Sequence, residues 1–217
     1  MIHNNDYDAK IKELEDKLIT MCYDVQKSID NAIEALSNKD KKLANKVIMN
    51  DKKIDELNRQ IENDSLNILL MYQPYASDFR EVSGTLKMVT DLERIGDYSV
   101  DIAEIVLSFK GDEYIKKVEH IPLMANIVIS MVKDSVQTFI NRDYKAARDL
   151  NKRDNKVDEI FYGIKDELVE LIKIDGNNIE QAINFMMIAK YLERIGDHAV
   201  NIGEWVDYEV TGHREDS

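Results

Sequence analysis

Cysteine, proline and glycine are scarce in this chain, and each shortage excludes a class of structure. Cys22 is the one cysteine among 217 residues, so an intrachain disulfide and a cysteine-based zinc site are both excluded. Pro74, Pro122 and eight glycines leave few turn signals, while 33% of the residues are charged. Long helices fit this composition better than short strands joined by turns. We therefore expect an all-α protein.

Positive charge is also in short supply. Lysine and arginine number 29 against 42 aspartate and glutamate residues, which gives a formal net charge of −13 at pH 7. Nucleic acid and anionic membranes would repel such a chain unless it carried a dense basic patch, and no run of five basic residues occurs. The first residues lack the basic and apolar regions of a signal peptide. We expect a cytoplasmic protein with no nucleic-acid partner and no direct membrane insertion.

Apolar residues recur at steps of three and four along six segments, which predicts six long amphipathic helices joined as antiparallel hairpins. The second helix is expected to end by Tyr72, because the residue before Pro74 is pushed out of helical geometry. The fourth helix is expected to begin near Pro122, and the sixth to run over about 179–208. Turns are predicted at 37–40, 73–75, 141–143 and 175–177, with a linker between halves at 110–112.

An internal repeat divides the chain. Residues 91–104 read DLERIGDYSVDIAE and residues 191–204 read YLERIGDHAVNIGE, with nine of fourteen positions identical at an offset of 100. A shorter acidic element also occurs twice, as DKKID at 51–55 and DNKVD at 154–158. Each half is therefore predicted to be one three-helix bundle. We expect the first bundle over 1–112, the second over 113–210 and a frayed tail over 211–217.

The predicted turns place the repeated acidic elements side by side. In an antiparallel hairpin, residues equally far from the turn lie at the same height along the bundle. The level pairs are Asp55 with Glu93 and Asp51 with Asp97 around Pro74, and Asp158 with Glu193 and Asp154 with Asp197 around 175–176. Residues four apart share a helix face, so each hairpin is predicted to bring four carboxylates together.

Clustered carboxylates repel one another unless their pKa values rise, cations pair with them or a metal binds. Oxygen ligands favour hard cations such as Mg, Ca, Mn or Fe(III) over zinc or copper. Asp101 extends the first set by one helical turn, and Asn201 holds that place in the second set. The alternative is a solvated acidic face, neutralised by Lys52, Lys53, Arg94 and Arg194.

Two further features of the repeat have structural explanations. Gly96 and Gly196 lie inside predicted helices, where each costs about 1 kcal/mol relative to alanine, and this indicates close approach by a neighbouring helix or a ligand, of which helix packing is the commoner reason. His198 follows Asp197, but Tyr98 occupies the matching position of the first half. Packing is therefore the better explanation of His198 than metal ligation.

The signature LERIGD, present twice in a chain that also carries the acidic element twice, resembles the PhoU family of phosphate-specific transport system accessory proteins. The segment QPYASDFR at 73–80 resembles the turn of that family into its third helix, and the sequence VTG at 210–212 is similar to its ending. The resemblance covers nearly the whole chain. It implies a tandem repeat of two three-helix bundles.

The resemblance also implies a function and a set of ligands. Members of the family are negative regulators of the phosphate-starvation response that link the ATPase of a phosphate ABC transporter to a sensor histidine kinase, and they are often homodimers. Some bind multinuclear metal, so iron is the first expectation here, with Mg, Ca or Mn as alternatives. The residues that match the family motifs are Asp51, Asp55, Glu93, Asp97 and Asp101 in one site and Asp154, Asp158, Glu193, Asp197 and Asn201 in the other.

Two competing interpretations remain open, and neither requires another fold. A ferritin-like di-iron enzyme also builds carboxylate sites inside a helical bundle, but its Glu-x-x-His pattern is missing here, since His198 lies five residues after Glu193. A metal-free helical adaptor would keep the partners and leave the acids as a solvated face. We expect a regulatory adaptor without enzymatic activity.

Overall fold

The computed structural model describes residues 5–110, 113–115 and 119–211. Within these ranges the chain forms six α-helices and one short 3-10 helix, so the predicted all-α architecture is confirmed. Five of the six helices have more than thirty residues, and the remaining one has 22. The elements are α1 (Asn5–Asn38), α2 (Lys41–Tyr72), α3 (Ser77–Ser108), α4 (His120–Asn141), α5 (Tyr144–Ile174), the 3-10 helix (Gly176–Asn178) and α6 (Ile179–Thr211).

The helix ends follow the turn signals closely. Asp40 caps α2, with its side chain accepting hydrogen bonds from the backbone N–H groups of Lys42 and Leu43. α2 stops at Tyr72 as predicted, and Gln73 then adopts left-handed backbone geometry ahead of Pro74. Asp175 accepts a hydrogen bond from the N–H of Asn177 and so opens the 3-10 helix at the predicted break.

Aromatic contacts lie near the first residues of α1 and the last residues of α6. α1 begins at Asn5, and its Tyr7 packs edge-on against Tyr72 with the ring centroids 5.5 Å apart. α6 continues to Thr211, and Trp205 contacts Tyr208 with the ring centroids 5.9 Å apart. Thr211, predicted as the first residue of the tail, is therefore helical, whereas 212–217 and the linker residues 111–112 lie outside the described ranges.

The helices form two layers around one continuous apolar core. The front layer runs in the order α2, α3, α6, α5, with α3 and α6 packed against each other at its centre. The back layer consists of α1, which packs on α2 and α3, and α4, which packs on α5 and α6. α1 also contacts α4, so both halves bury side chains in the same core.

α4 is more apolar than the other helices. Among the described residues it is the one helix whose length and composition would allow it to cross a bilayer, with an 18-residue window of mean hydropathy 1.2. Half of that window is buried inside the protein, where Met124, Val128 and Val132 are almost inaccessible to solvent. Packing against α1, α5 and α6 accounts for this apolar composition.

The central helices α3 and α6 are antiparallel. Their contacts are related by an approximate two-fold axis, so that a position of the repeat in one helix meets its counterpart's partner in the other. His198 Nδ1 lies 2.8 Å from Asp91 Oδ1. At the two positions related to these by the repeat, Tyr98 and Tyr191 stack with ring centroids 5.6 Å apart. The same pair of repeat positions therefore meets twice, once as a histidine–carboxylate contact and once as an aromatic stack.

Candidate functional site

The α2–α3 hairpin brings the first four carboxylates together at the heights that the turn predicted. Burial and the negative charges of Asp55, Asp97 and Glu93 raise the pKa of Asp51 from its ordinary value of 3.8 to about 6. Burial, followed by the charge of Asp97, also raises the pKa of Glu93. We call this set the first acidic cluster: Asp51, Asp55, Glu93 and Asp97.

The α5–α6 hairpin repeats the arrangement in the second half. Burial and the charges of Asp197, Asp158 and Glu193 raise the pKa of Asp154 from 3.8 to about 6. Burial, together with the charge of Glu193, also raises the pKa of Asp197. We call this set the second acidic cluster: Asp154, Asp158, Glu193 and Asp197.

Outer members Asp101 and Asn201 extend these clusters unequally. Burial and the charges of Glu104 and Asp97 raise the pKa of Asp101, so that carboxyl lies within electrostatic reach of the first cluster. Asn201 is half-buried at the corresponding position of α6 and contributes a neutral amide in place of a carboxylate. The two sites therefore differ in charge, as their sequences indicated.

A glycine opposite each inner aspartate makes this close packing possible. A Cβ atom at Gly196 would lie only 2.8 Å from Asp154 Oδ1, closer than real Cβ contacts allow. At Gly96 it would lie 3.2 Å from Ile54 Cγ2 and 3.5 Å from Asp51 Oδ1. Close approach by the neighbouring helix, the explanation favoured from the sequence, is confirmed for both glycines.

Basic side chains neutralise part of the negative charge. Arg94 Nη1 lies 3.1 Å from Asp97 Oδ2, and Arg194 Nη1 lies 3.3 Å from Asp197 Oδ2, so both arginines pair with the clusters as the solvated-face interpretation requires. Lys53 does not, because its ammonium pairs with Asp24 on α1 at 2.8 Å. In the second half, Lys190 Nζ also lies 2.5 Å from Glu193 Oε1.

The donor atoms suit a hard cation, but the side chains are not arranged in a finished coordination shell. Every candidate donor is a carboxylate or amide oxygen, the type that Mg, Ca, Mn and Fe(III) prefer. Asp154 Oδ1 and Glu193 Oε2 are buried with no hydrogen-bond partner in the described part of the chain. Among those same residues, however, no three His, Cys, Asp or Glu side chains are grouped closely enough to hold an ion.

Comparison with known proteins assigns this architecture. The model of the PhoU domain matches the chain twice, over residues 18–106 and 121–206, and each match contains one acidic cluster. The chain belongs to the PhoU family. The matched segments correspond to the two halves of the internal repeat, which explains why both acidic elements occur twice in one PhoU chain.

PhoU relatives cover almost the entire sequence. The chain is 36% identical over 211 residues to the phosphate-specific transport system accessory protein PhoU homolog of Clostridium acetobutylicum, covering 97% of this chain and 96% of that protein. It is also 36% identical over 214 residues to PhoU homolog 1 of Thermotoga maritima, covering 98% and 92% of the two chains.

Solved PhoU structures share the fold. The crystal structure of PhoU from Pseudomonas aeruginosa superposes with a TM-score of 0.90 at 31% identity, covering 95% of this chain and 100% of that one. The phosphate transport system regulatory protein PhoU from Streptococcus pneumoniae superposes with a TM-score of 0.91 at 28% identity, covering 97% and 100%. The fold predicted from the repeat is thereby confirmed as that of PhoU.

Three residues near the acidic clusters of this PhoU chain were not predicted from the sequence. Lys190 is level with the second cluster, Asn58 lies one turn beyond Asp55 on α2, and the charge of Glu62 reaches Glu93. The repeat does not mark these positions, because Thr90, Phe161 and Lys165 stand at the matching positions of the other half.

His198 is positioned as a packing residue of the PhoU core. Its ring pairs with Asp91 and contacts the Tyr98 ring, with 5.7 Å between the ring centroids. Both partners lie on α3, so the imidazole is directed across the interface between the halves. This arrangement gives no support to the Glu-x-x-His chemistry of a di-iron enzyme.

Proposed function

We propose that this chain is an accessory regulator of phosphate-specific transport that acts by binding partners rather than by catalysis. The match to the PhoU family over both halves is the observation that carries the proposal. The relatives from Clostridium acetobutylicum and Aquifex aeolicus are both named phosphate-specific transport system accessory proteins. A rigid body of packed helices with two exposed faces is physically suited to an adaptor.

The proposed partners are the ATPase subunit of a phosphate ABC transporter and a sensor histidine kinase. In this proposal the chain works in the cytoplasm as a homodimer and restrains the phosphate-starvation response when phosphate is plentiful. The two halves, 1–112 and 113–210, would each present one acidic hairpin on the front layer. Formal charge of −13 favours partner surfaces rich in lysine and arginine.

We further propose that the acidic clusters bind hard cations, with multinuclear iron first and Mg, Ca or Mn as alternatives. Donors would come from Asp51, Asp55, Glu93, Asp97 and Asp101 in the first site, and from Asp154, Asp158, Glu193, Asp197 and Asn201 in the second. Burial and then repulsion between the carboxylates raise the pKa values of Asp51 and Asp154, and a bound cation would cancel that repulsion. It would thereby fix each hairpin in one shape for partner recognition.

The regulatory proposal is tested by deleting the gene in its own host and measuring phosphate uptake and starvation-gene expression at high phosphate. We expect both to rise in the deletion strain and to return to normal when the wild-type chain is restored. Purified ATPase subunit and kinase should also bind the immobilised full chain. Normal uptake in the deletion strain, together with no binding of either partner, would contradict the proposal.

The ion pairs of Arg94 and Arg194 favour a second candidate, a metal-free adaptor with the same partners. Elemental analysis of untagged protein, purified without chelator, separates the two. We expect several hard-metal ions per chain, with a clear loss in a Glu93→Gln/Asp97→Asn variant. No metal in either protein, combined with normal partner binding, would establish the metal-free adaptor.

A further inference from the structure

The tip of the α2–α3 hairpin carries large apolar side chains on its surface. Leu66 and Leu70 on α2 are 55% and 75% exposed, and Phe79 on α3 is 48% exposed. Residues equally far from Pro74 share a height, which places Phe79 between the heights of Leu66 and Leu70. In the described part of the chain α2 packs only on α1 and α3, so no other helix covers these residues. We call Leu66, Leu70, Phe79 and the half-buried Leu86 the apolar strip.

The apolar strip leads into negative charge at its inner end. Glu62 lies four residues before Leu66, on the same face of α2, and it is level with Leu86 on α3. The charge of Glu62 reaches Glu93, which lies two helical turns beyond Leu86. From Phe79 to Glu93 the surface of the hairpin therefore changes from apolar to acidic over about 21 Å.

The second hairpin does not repeat this pattern. Lys173 stands at the position of Leu70, and its ammonium pairs with Glu170 at 2.7 Å. Lys165 stands at the position of Glu62. Two lysines therefore interrupt the corresponding surface, and a basic partner would be repelled at the place where the first hairpin attracts it. The uninterrupted change from apolar to acidic distinguishes the first hairpin from the second.

We propose that the apolar strip binds an amphipathic helix of a protein partner, with lysine or arginine at the end of that helix that reaches Glu62. Exposed apolar patches bordered by polar residues are typical of protein contact sites, and an amphipathic helix covers such a patch with its apolar face. About fourteen helical residues span the distance from Phe79 to Glu93. This inference rests on the proposed partner binding and adds the surface and the chemistry of the partner.

A second copy of the chain would fit the apolar strip poorly. If two strips paired in the same direction, their acidic ends would meet, and in opposite directions each Glu62 would face the leucines of the other copy. Either arrangement removes carboxylates from water without supplying a cation, which is costly. The formal charge of −13 on each copy adds repulsion, and it also repels an anionic bilayer. The occupant is therefore a different protein with a basic surface.

The repeat supplies matched variants for the test. Leu70→Lys and Glu62→Lys each give the first hairpin the type of residue found at the same position of the second. Met49→Lys is the control, because Met49 is a 74% exposed residue of α2 outside the strip, and its counterpart Lys152 is also a lysine. We would measure binding of the purified transporter ATPase subunit and of the sensor kinase to the immobilised full chain. Thermal melting of each variant verifies that it is folded.

We expect at least one of the two partners to bind wild type and to bind Leu70→Lys about tenfold or more weakly, because a buried apolar contact is replaced by a charge. Glu62→Lys should weaken the same interaction, because it repels the basic end of the partner helix. Met49→Lys should bind as wild type does. Added NaCl should weaken binding to wild type more than binding to Glu62→Lys, because the salt screens an attraction that this variant lacks.

Two results would overturn the inference while leaving the proposed function intact: partner binding unchanged in both Leu70→Lys and Glu62→Lys, or an equal loss with Met49→Lys, which added charge alone would explain. Loss of a dimer in sedimentation of Leu70→Lys, with partner binding unchanged, would assign the strip to a second copy and also overturn it. If wild type binds neither partner, the proposed partner binding fails, and this inference fails with it. The wild-type measurement therefore separates the two failures.

Discussion

Asp51 and Asp154 lower the stability of the metal-free fold, although the proposed function needs their carboxylates. Each carboxyl is packed between helices, and burial is the largest cause of its raised pKa, followed by the charges of neighbouring acids. A stable adaptor without a ligand would gain from neutral residues at these positions. Retaining two such costly carboxylates is consistent with their having a charged ligand.

Replacing Asp51 by asparagine should make the metal-free protein more stable at neutral pH. The pKa of Asp51 rises from 3.8 to about 6 on folding, so between these values the folded state binds more protons than the unfolded state. The free energy of unfolding therefore falls as the pH rises through this window. We expect Asp51→Asn to raise the melting temperature in EDTA at pH 7.5 and to have little effect at pH 4.

An exposed acid provides the control for that measurement. Asp30→Asn changes the net charge equally, on a solvent-facing position of α1. Its melting temperature should differ little from that of wild type at both pH values. A stabilisation of Asp51→Asn that is the same at pH 4 and pH 7.5 would contradict the electrostatic explanation.

Gly163 in α5 and Gly196 in α6 are interior helical glycines with opposite surroundings. Gly163 is exposed, and a Cβ atom there would meet nothing within 4 Å in the described part of the chain. Gly196 faces Asp154, where a Cβ atom would be only 2.8 Å from the carboxylate. Helix propensity therefore determines the effect of a substitution at Gly163, and packing determines it at Gly196.

Alanine substitutions should separate these two effects. Gly163→Ala should stabilise the protein by about 0.5–1 kcal/mol, because alanine loses less backbone entropy in a helix. Gly196→Ala should destabilise it by about 1–2 kcal/mol, because the new methyl group displaces Asp154. Urea unfolding of both variants measures the free energies. Equal stabilisation by the two substitutions would show that Asp154 moves aside without cost.

The order of the helices, the positions of the turns and the approach of the acidic elements within each hairpin could be predicted from the sequence. Apolar periodicity and residues such as Asp40 and Pro74 determine where these helices end, and equal distances from a turn determine which residues are level. The contacts between halves could not be predicted, because nothing local in the sequence indicates that Asp91 meets His198. Lys190 was missed because it is one of the positions where the repeats differ.

The whole molecule buries its apolar side chains in one core rather than in two separate ones. Phe109 at the end of the first half contacts Phe185 on α6, with ring centroids 5.2 Å apart. Gly84 on α3 approaches the ring of Phe139 on α4, where a Cβ atom would lie 3.3 Å from it. Side chains of each half therefore pack directly against side chains of the other half in this one core.

This shared core predicts cooperative unfolding of the full chain. We expect a single calorimetric transition in which the calorimetric and van't Hoff enthalpies agree, although the sequence is a duplication. A fragment of residues 1–112 would expose the face of α3 that α6 covers, and it should aggregate or dimerise when produced alone. Two resolved transitions in the full chain would show that the halves unfold independently.

The exchanged contacts between α3 and α6 require two different halves, which this chain supplies in one polypeptide. In a symmetric pair of first halves, Asp91 of each copy would face Tyr98 of the other, and in a pair of second halves Tyr191 would face His198. Neither homodimer could form the Asp91–His198 contact or the Tyr98–Tyr191 stack. Covalent joining of two unlike repeats therefore allows the two sides of the axis to carry different contacts, which a pair of identical halves could not do.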